Sequence, residues 1–164
     1  MATPESLEKA LWKGIEDDRT LMLGLEGHDT HMRPMTALLD EKSPGKGPLW
    51  IFTSVDNGIV EAIGSNIGRA RACYVGKRHD LFACLDGPIQ VHNDRAVIDR
   101  LWNPFIAAWY EDGKDDPKLR LLRFDARHAH VWENENSLLA GIRLLFGADP
   151  KQSYADKTAE VDLR

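Results

Sequence analysis

Apolar positions along the 164-residue chain change period several times, and each change marks a predicted element. Thr3-Pro4 reads as an N-cap followed by proline in the first helical turn. Leu7, Leu11 and Ile15 then recur every four residues, which predicts a helix ending near Asp17-Asp18. Arg19 to Leu25 is a short apolar run, interrupted by Gly24, and reads as a buried strand. Glu26 to Asp29 is a turn, and His31 to Leu39 returns as the second arm of a hairpin. Pro34 within that arm has no amide to donate, so the arm belongs at an edge or a bulge. Asp40 to Pro48 is a loop, because it holds two glycines and two prolines. Leu49 to Thr53 is aromatic and β-branched, as suits a pleated surface.

Ile59, Ala62 and Ile63 predict a short helix. Arg71 to Val75 and Leu81 to Leu85 are strands joined by a polar turn, and Asp86-Gly87-Pro88 bends the second before Ile89 to His92 continues it. Asn93-Asp94 caps a helix through Val97, Ile98, Leu101 and Trp102, which Pro104 breaks and Phe105 to Tyr110 resumes. Leu119 to Phe124 and Ala129 to Trp132 are the last predicted strands. Asn136-Ser137 caps a final helix over Leu138 to Phe146. The organisation expected is one domain over residues 1–148 and a polar, poorly ordered tail over 149–164. About six strands and four helices, mostly in hairpins, predict an antiparallel sheet and exclude a doubly wound parallel one.

Composition changes this picture little: the chain is 43% hydrophobic and 29% charged. Its 21 basic and 26 acidic residues leave a net charge of −5, which argues against nucleic-acid binding through clustered cations. No apolar run reaches the roughly 18 residues of a membrane span, and no signal core opens the chain. The expectation is therefore a cytoplasmic protein that binds neither membrane nor nucleic acid. Cys73 and Cys84 lie in strands and are expected as reduced thiols.

Generic catalytic motifs are missing: there is no GxSxG, no Walker loop and no HExxH. The acidic stretch Asp112 to Pro117 lacks the closing glutamate of a calcium loop and reads as a solvated turn. His128 and His130 share a strand face but have no third ligand in view, so ordinary histidines are the default.

Several blocks together say more. Arg33-Pro34-Met35 lies on one strand and Trp50-Ile51-Phe52-Thr53-Ser54 on the next. Leu101-Trp102-Asn103-Pro104, Ala108-Trp109-Tyr110, Asp116-Pro117-Lys118-Leu119 and Ala129-His130-Val131-Trp132 follow in that order. This series resembles the general stress protein branch of the pyridoxamine phosphate oxidase-like proteins over about residues 5–146.

The resemblance implies a six-stranded antiparallel split barrel with flanking helices, a homodimer, and FMN at the subunit interface. It implies that Arg33 forks onto the FMN phosphate, that Thr53 and Ser54 add donors, and that Pro34 and Met35 meet the ring edge. Trp132 would cover the flavin from the partner subunit. Read alone, Arg33 is an ion-pair residue, Met35 is core, and Thr53-Ser54 caps the following helix. Trp102 and Trp109 read as core or interface anchors.

Two departures stand out. The family usually carries a phosphate-binding lysine about five residues after Thr-Ser; Ile59 stands there, so weakened FMN binding is expected, with Arg69 or Arg71 as possible substitutes. If Ile59 instead packs inward with Ile63, no phosphate contact was ever at stake. The other departure is Glu133 after Trp132, where true pyridoxamine phosphate oxidases grip the substrate phosphate with cations. Vitamin B6 oxidase activity is therefore not expected. Two functions follow: a flavin-dependent oxidoreductase of unassigned substrate, or a non-catalytic binding or stress-response protein with weak or no flavin. The barrel itself does not choose among FMN, FAD and a deazaflavin.

Overall fold

The computed structural model describes residues 3–43, 45–134 and 157–164. It begins with helix α1 (Pro4–Asp17), where Thr3 and Ser6 cap each other and Pro4 occupies the first turn. Leu7, Leu11, Trp12 and Ile15 are buried on one face, each stabilising the fold by about 1.5–3 kcal/mol. That face packs on β6 (Leu81–Val91), β8 (His128–Glu133) and β9 (Thr158–Asp162).

The sheet order is β2-β1-β5-β6-β7-β4-β3. It uses β1 (Thr20–Leu25), β2 (Arg33–Thr36), β3 (Leu38–Leu39), β4 (Leu49–Ser54), β5 (Gly68–Val75) and β7 (Leu119–Phe124). All pairings are antiparallel. β2 and β3 are consecutive in the chain and sit at opposite ends of that order, so the ribbon 33–39 brings the two ends together into a nearly closed barrel. The path holds seven strands where six were expected, because the predicted strand 31–39 divides at Ala37. The predicted hairpin is present, with Leu21 opposite Met35 and Leu23 opposite Arg33. Pro34 lies opposite Met22 on a strand paired on one side only, which suits a residue with no amide to give.

The barrel is split at β6. Its first half pairs with β8 through Leu81–Asp86, and its last residues, Ile89–Val91, pair with β7. At the junction the β7–β8 turn crosses the strand: Asp125 donates to the Pro88 carbonyl and Arg127 to the Asp86 carbonyl, each at 2.9 Å. The residue between them is Gly87, where a Cβ would lie 2.0 Å from the Asp125 carbonyl oxygen. The crossing needs a glycine there.

β9 corrects the expectation of a disordered tail after residue 149. Residues 158–162 pair with β8, and Val161 and Leu163 are buried in the main core. The helix expected over 138–146 lies outside the described residues. A second apolar cluster sits on the other face of β4 and β7, under α3 (Arg95–Leu101) and α4 (Pro104–Ala107). It joins Trp50, Leu121 and Ile98 to Phe52 and Trp102. Buried Asp40 anchors α3 through a forked pair with Arg100, whose Nε lies 3.2 Å from both carboxylate oxygens. The same Arg100 holds the Asp40 carboxyl below the usual carboxylate range. Among the described residues, no helix is long and apolar enough to cross a membrane.

Candidate functional site at Arg33 and the end of β4

Arg33 and Met35 project on the same side of β2, opposite the core residues Leu23 and Leu21. Met35 packs against the main core, while Arg33 is half-buried and Pro34 exposed. Among the described residues the Arg33 side chain has neither an ion-pair partner nor a hydrogen bond, and its Nε is buried without an acceptor. Leaving a buried guanidinium nitrogen unsatisfied carries a penalty of about 1–3 kcal/mol, which an anion at this point would relieve. The reading of Arg33 as a surface ion-pair residue therefore finds no partner.

The guanidinium lies against Gly58, the first residue of α2 (Gly58–Ile63). A Cβ at Gly58 would stand 3.2 Å from Nη2 of Arg33. Sequence reasoning passed over Gly58. Its signal was a glycine at the start of a short helix, where any side chain would intrude on the arginine.

Thr53 and Ser54 end β4, just before this contact. The Ser54 side chain hydrogen-bonds Asp56 and holds that carboxyl below its ordinary range. Neither residue caps α2. Asn57 does, through its side-chain oxygen and the Ile59 amide at 2.9 Å. Thr53 lies opposite Arg120 on β7, and Arg120 donates to the carbonyls of Pro117 and Leu119 at 3.0 and 2.7 Å. Arg120 is a second cation beside the site that the sequence reading did not single out.

Ile59 requires a correction. It is 1% exposed and packs in the main core with Ile63, so it points away from the surface that a phosphate would use. The apolar residue is what this position needs, and no phosphate contact is lost with it. Arg69 and Arg71 do not substitute. Arg69 pairs with Glu26 and Asp86 at 3.0 and 3.1 Å, and Arg71 pairs with Glu26 at 3.0 Å.

Trp132 is not brought to Arg33 within one chain. It lies between Phe82 and Thr158 on β8, a strand whose neighbours are β6 and β9. Its ring stacks on His130 at a centroid distance of 4.2 Å. The two strand histidines gather no metal set: no cluster of three suitable ligands exists among the described residues. The acidic stretch 112–117 is closed by its own backbone, with Asp116 accepting from the amides of Lys118 and Asp112 at 2.8 and 3.3 Å.

The donor set fits the phosphate end of a flavin nucleotide: an unpaired, partly buried guanidinium lies beside a glycine that leaves it room, four residues after the strand end that carries Thr53 and Ser54. Arg33 would hold the phosphate, and Thr53 and Ser54 would line its approach.

Comparison with known proteins agrees with this architecture. A general stress family protein of Xanthomonas campestris pv. campestris is 52% identical over 86% of this chain and 96% of its own, with a TM-score of 0.76. A protein of Xanthomonas citri described as a general stress FMN/FAD binding protein is 50% identical over 84% of this chain and 95% of its own, with a TM-score of 0.75. A general stress protein 26 from Jannaschia is 24% identical over 98% of this chain and 99% of its own, and shares the fold with a TM-score of 0.76. Among curated proteins none matches. The family model described as Pyridoxamine 5'-phosphate oxidase like matches residues 6–154, and the chain belongs to that family.

Proposed function

We propose that the protein binds FMN through Arg33 and works as a cytoplasmic flavoprotein of the general stress type, a homodimer with the flavin at the subunit interface. The observation that carries this reading is the buried, unpaired Nε of Arg33, set against Gly58. The Xanthomonas citri relative described as FMN/FAD binding supports a flavin as the ligand. A flavin supplies two-electron redox chemistry when bound, and the protein supplies position and electrostatics. Arg33 holds the phosphate, Pro34 and Met35 meet the ring edge, and Trp132 of the partner subunit covers it. Pyridoxamine phosphate oxidation is not the reaction. Glu133 follows Trp132 and is exposed, so a phosphorylated substrate meets a carboxylate there.

The test is a pair of fluorescence titrations with FMN and with riboflavin, which lacks the phosphate. Arg33→Ala is expected to weaken FMN by about tenfold or more, as befits a lost charge-assisted contact of about 1.5–3 kcal/mol, and to leave riboflavin little changed. Equal losses for both would make Arg33 structural. A wild-type protein that ignores both flavins would favour the non-catalytic reading.

A further inference from the structure

Cys73 and Cys84 stand directly opposite each other on β5 and β6, with Met22 between Cys73 and Pro34 in the sheet, and the flavin reading makes no use of their thiols. Which kind of cross-strand pair they form follows from the backbone. The Gly76 amide donates to the Leu81 carbonyl at 2.8 Å, and these two residues continue the same register, so they form a hydrogen-bonded pair. Pair types alternate along an antiparallel ladder. Three steps inward from Gly76 and Leu81, Cys73 and Cys84 form a non-hydrogen-bonded pair.

The neighbouring strands agree. The Glu26 amide donates to the Arg69 carbonyl at 2.9 Å in the β1–β5 register. Four steps on, Met22 and Cys73 are therefore a hydrogen-bonded pair, and the backbone groups of Cys73 face β1. On the other side, the Asn134 amide donates to the Asp80 carbonyl at 2.8 Å, which turns the Cys84 backbone toward His130 on β8.

A non-hydrogen-bonded pair brings Cα atoms to about 4.5 Å and side chains to their closest approach. That lies at the short end of the roughly 4.4–6.8 Å range that disulfides span. Both cysteines are free and half-buried. Cys84 also lines an open groove of about 450 Å³ with Arg71, Asp86, His128 and His130, which gives a small reagent access. Burial, and after it the neighbouring Cys73, push the Cys84 thiol pKa up.

We propose that Cys73 and Cys84 are a two-electron redox site that closes a disulfide between β5 and β6 when the protein meets a peroxide. The Cys84 thiolate attacks one peroxide oxygen, the O–O bond breaks, and the departing hydroxide takes up the proton released by the thiol to leave as water. Cys84 is then a sulfenic acid. The Cys73 sulfur attacks that sulfur, the S–O bond breaks as the S–S bond forms, and a second water leaves with the Cys73 proton. Two thiols lose two electrons and two hydrogens, and one peroxide becomes two waters. Thiol–disulfide exchange with a dithiol reopens such a bridge, so the change is reversible.

The experiment uses the full chain without added flavin, treated with hydrogen peroxide, then denatured and alkylated with iodoacetamide. The expected result is that both thiols disappear together, with a mass loss of two hydrogens. One linked peptide should contain residues 73 and 84, and dithiothreitol should restore both thiols. Cys73→Ser should abolish the linked peptide. The proposal is overturned if both thiols remain alkylated after excess peroxide. It is equally overturned if Cys84 gains oxygen while Cys73 stays free, or if the only bridges join separate chains.

Discussion

The Tyr110 hydroxyl donates to the Thr53 carbonyl at 2.6 Å, joining the segment after α4 to the strand end that carries the candidate site. Tyr110 is buried in the second apolar cluster with Trp102 beside it, ring centroids 5.8 Å apart. Burial, with Asp116 after it, pushes its pKa from 10.0 up to about 12. A raised folded-state value favours the protonated phenol in the native protein. This contribution is therefore complete below pH 10.0 and is lost as pH climbs toward about 12. Tyr110→Phe is expected to cost about 1 kcal/mol at neutral pH and to flatten the loss of stability in that alkaline window. Urea unfolding of both proteins across the window checks it; parallel losses would remove Tyr110 as the cause.

Gly87→Ala should be among the most damaging single changes in the barrel. The added methyl meets the Asp125 carbonyl, which is backbone, in a residue whose amide is held by the Pro88 carbonyl. A cost of at least about 3 kcal/mol is expected from such a clash. A melting curve within a degree or two of wild type would contradict the crossing described at the split.

Ile59→Lys puts an ammonium into the main core, where Ile59 is 1% exposed. A loss of about 3 kcal/mol or more is expected, because a buried charge without a partner is among the costliest substitutions. FMN affinity should not rise. Tighter FMN binding with an unchanged melting temperature would reinstate the phosphate-facing reading of this position.

Phe105 and Trp109 are 85% and 84% exposed, four residues apart on α4 and the turn after it. Two neighbouring exposed aromatics on one turn suit an interface, where large aromatic side chains serve as anchors. Replacing both with serine should shift the expected dimer toward monomer in sedimentation at micromolar concentration while leaving the fold intact. A dimer that is unchanged by the double replacement would put the interface elsewhere.

The hairpin of β1 and β2 was legible because Pro34 can occupy only an edge, and α1 because its cap and four-residue spacing coincide. The second cluster was half legible. Trp102 is packed as an anchor should be, but Trp109 is exposed, since the helix resumed by Phe105 ends at Ala107. β9 was missed because its charged residues read as tail; Ala159, Val161 and Leu163 alternate, and two of them are core. At the site, Arg33, Thr53 and Ser54 were named from a resemblance, whereas Gly58 is visible only once the chain is folded. A glycine's purpose lies in what approaches it, and that neighbour is 25 positions away in the chain. Ile59 went wrong for the related reason that spacing along a chain does not tell which side of a short helix faces the core.

The packing of α1 against β9 sets an order on biosynthesis. Leu7 and Leu11 share a core with Val161 and Leu163, so after β6 and β8 have formed the apolar face of α1 still waits for residues 158–163 to complete its cover. During translation that face is exposed surface, open to a chaperone or to another nascent copy. Removing residues 158–164 should therefore yield a protein that is made but recruits chaperones through α1, even though the barrel strands that carry Arg33 are all present.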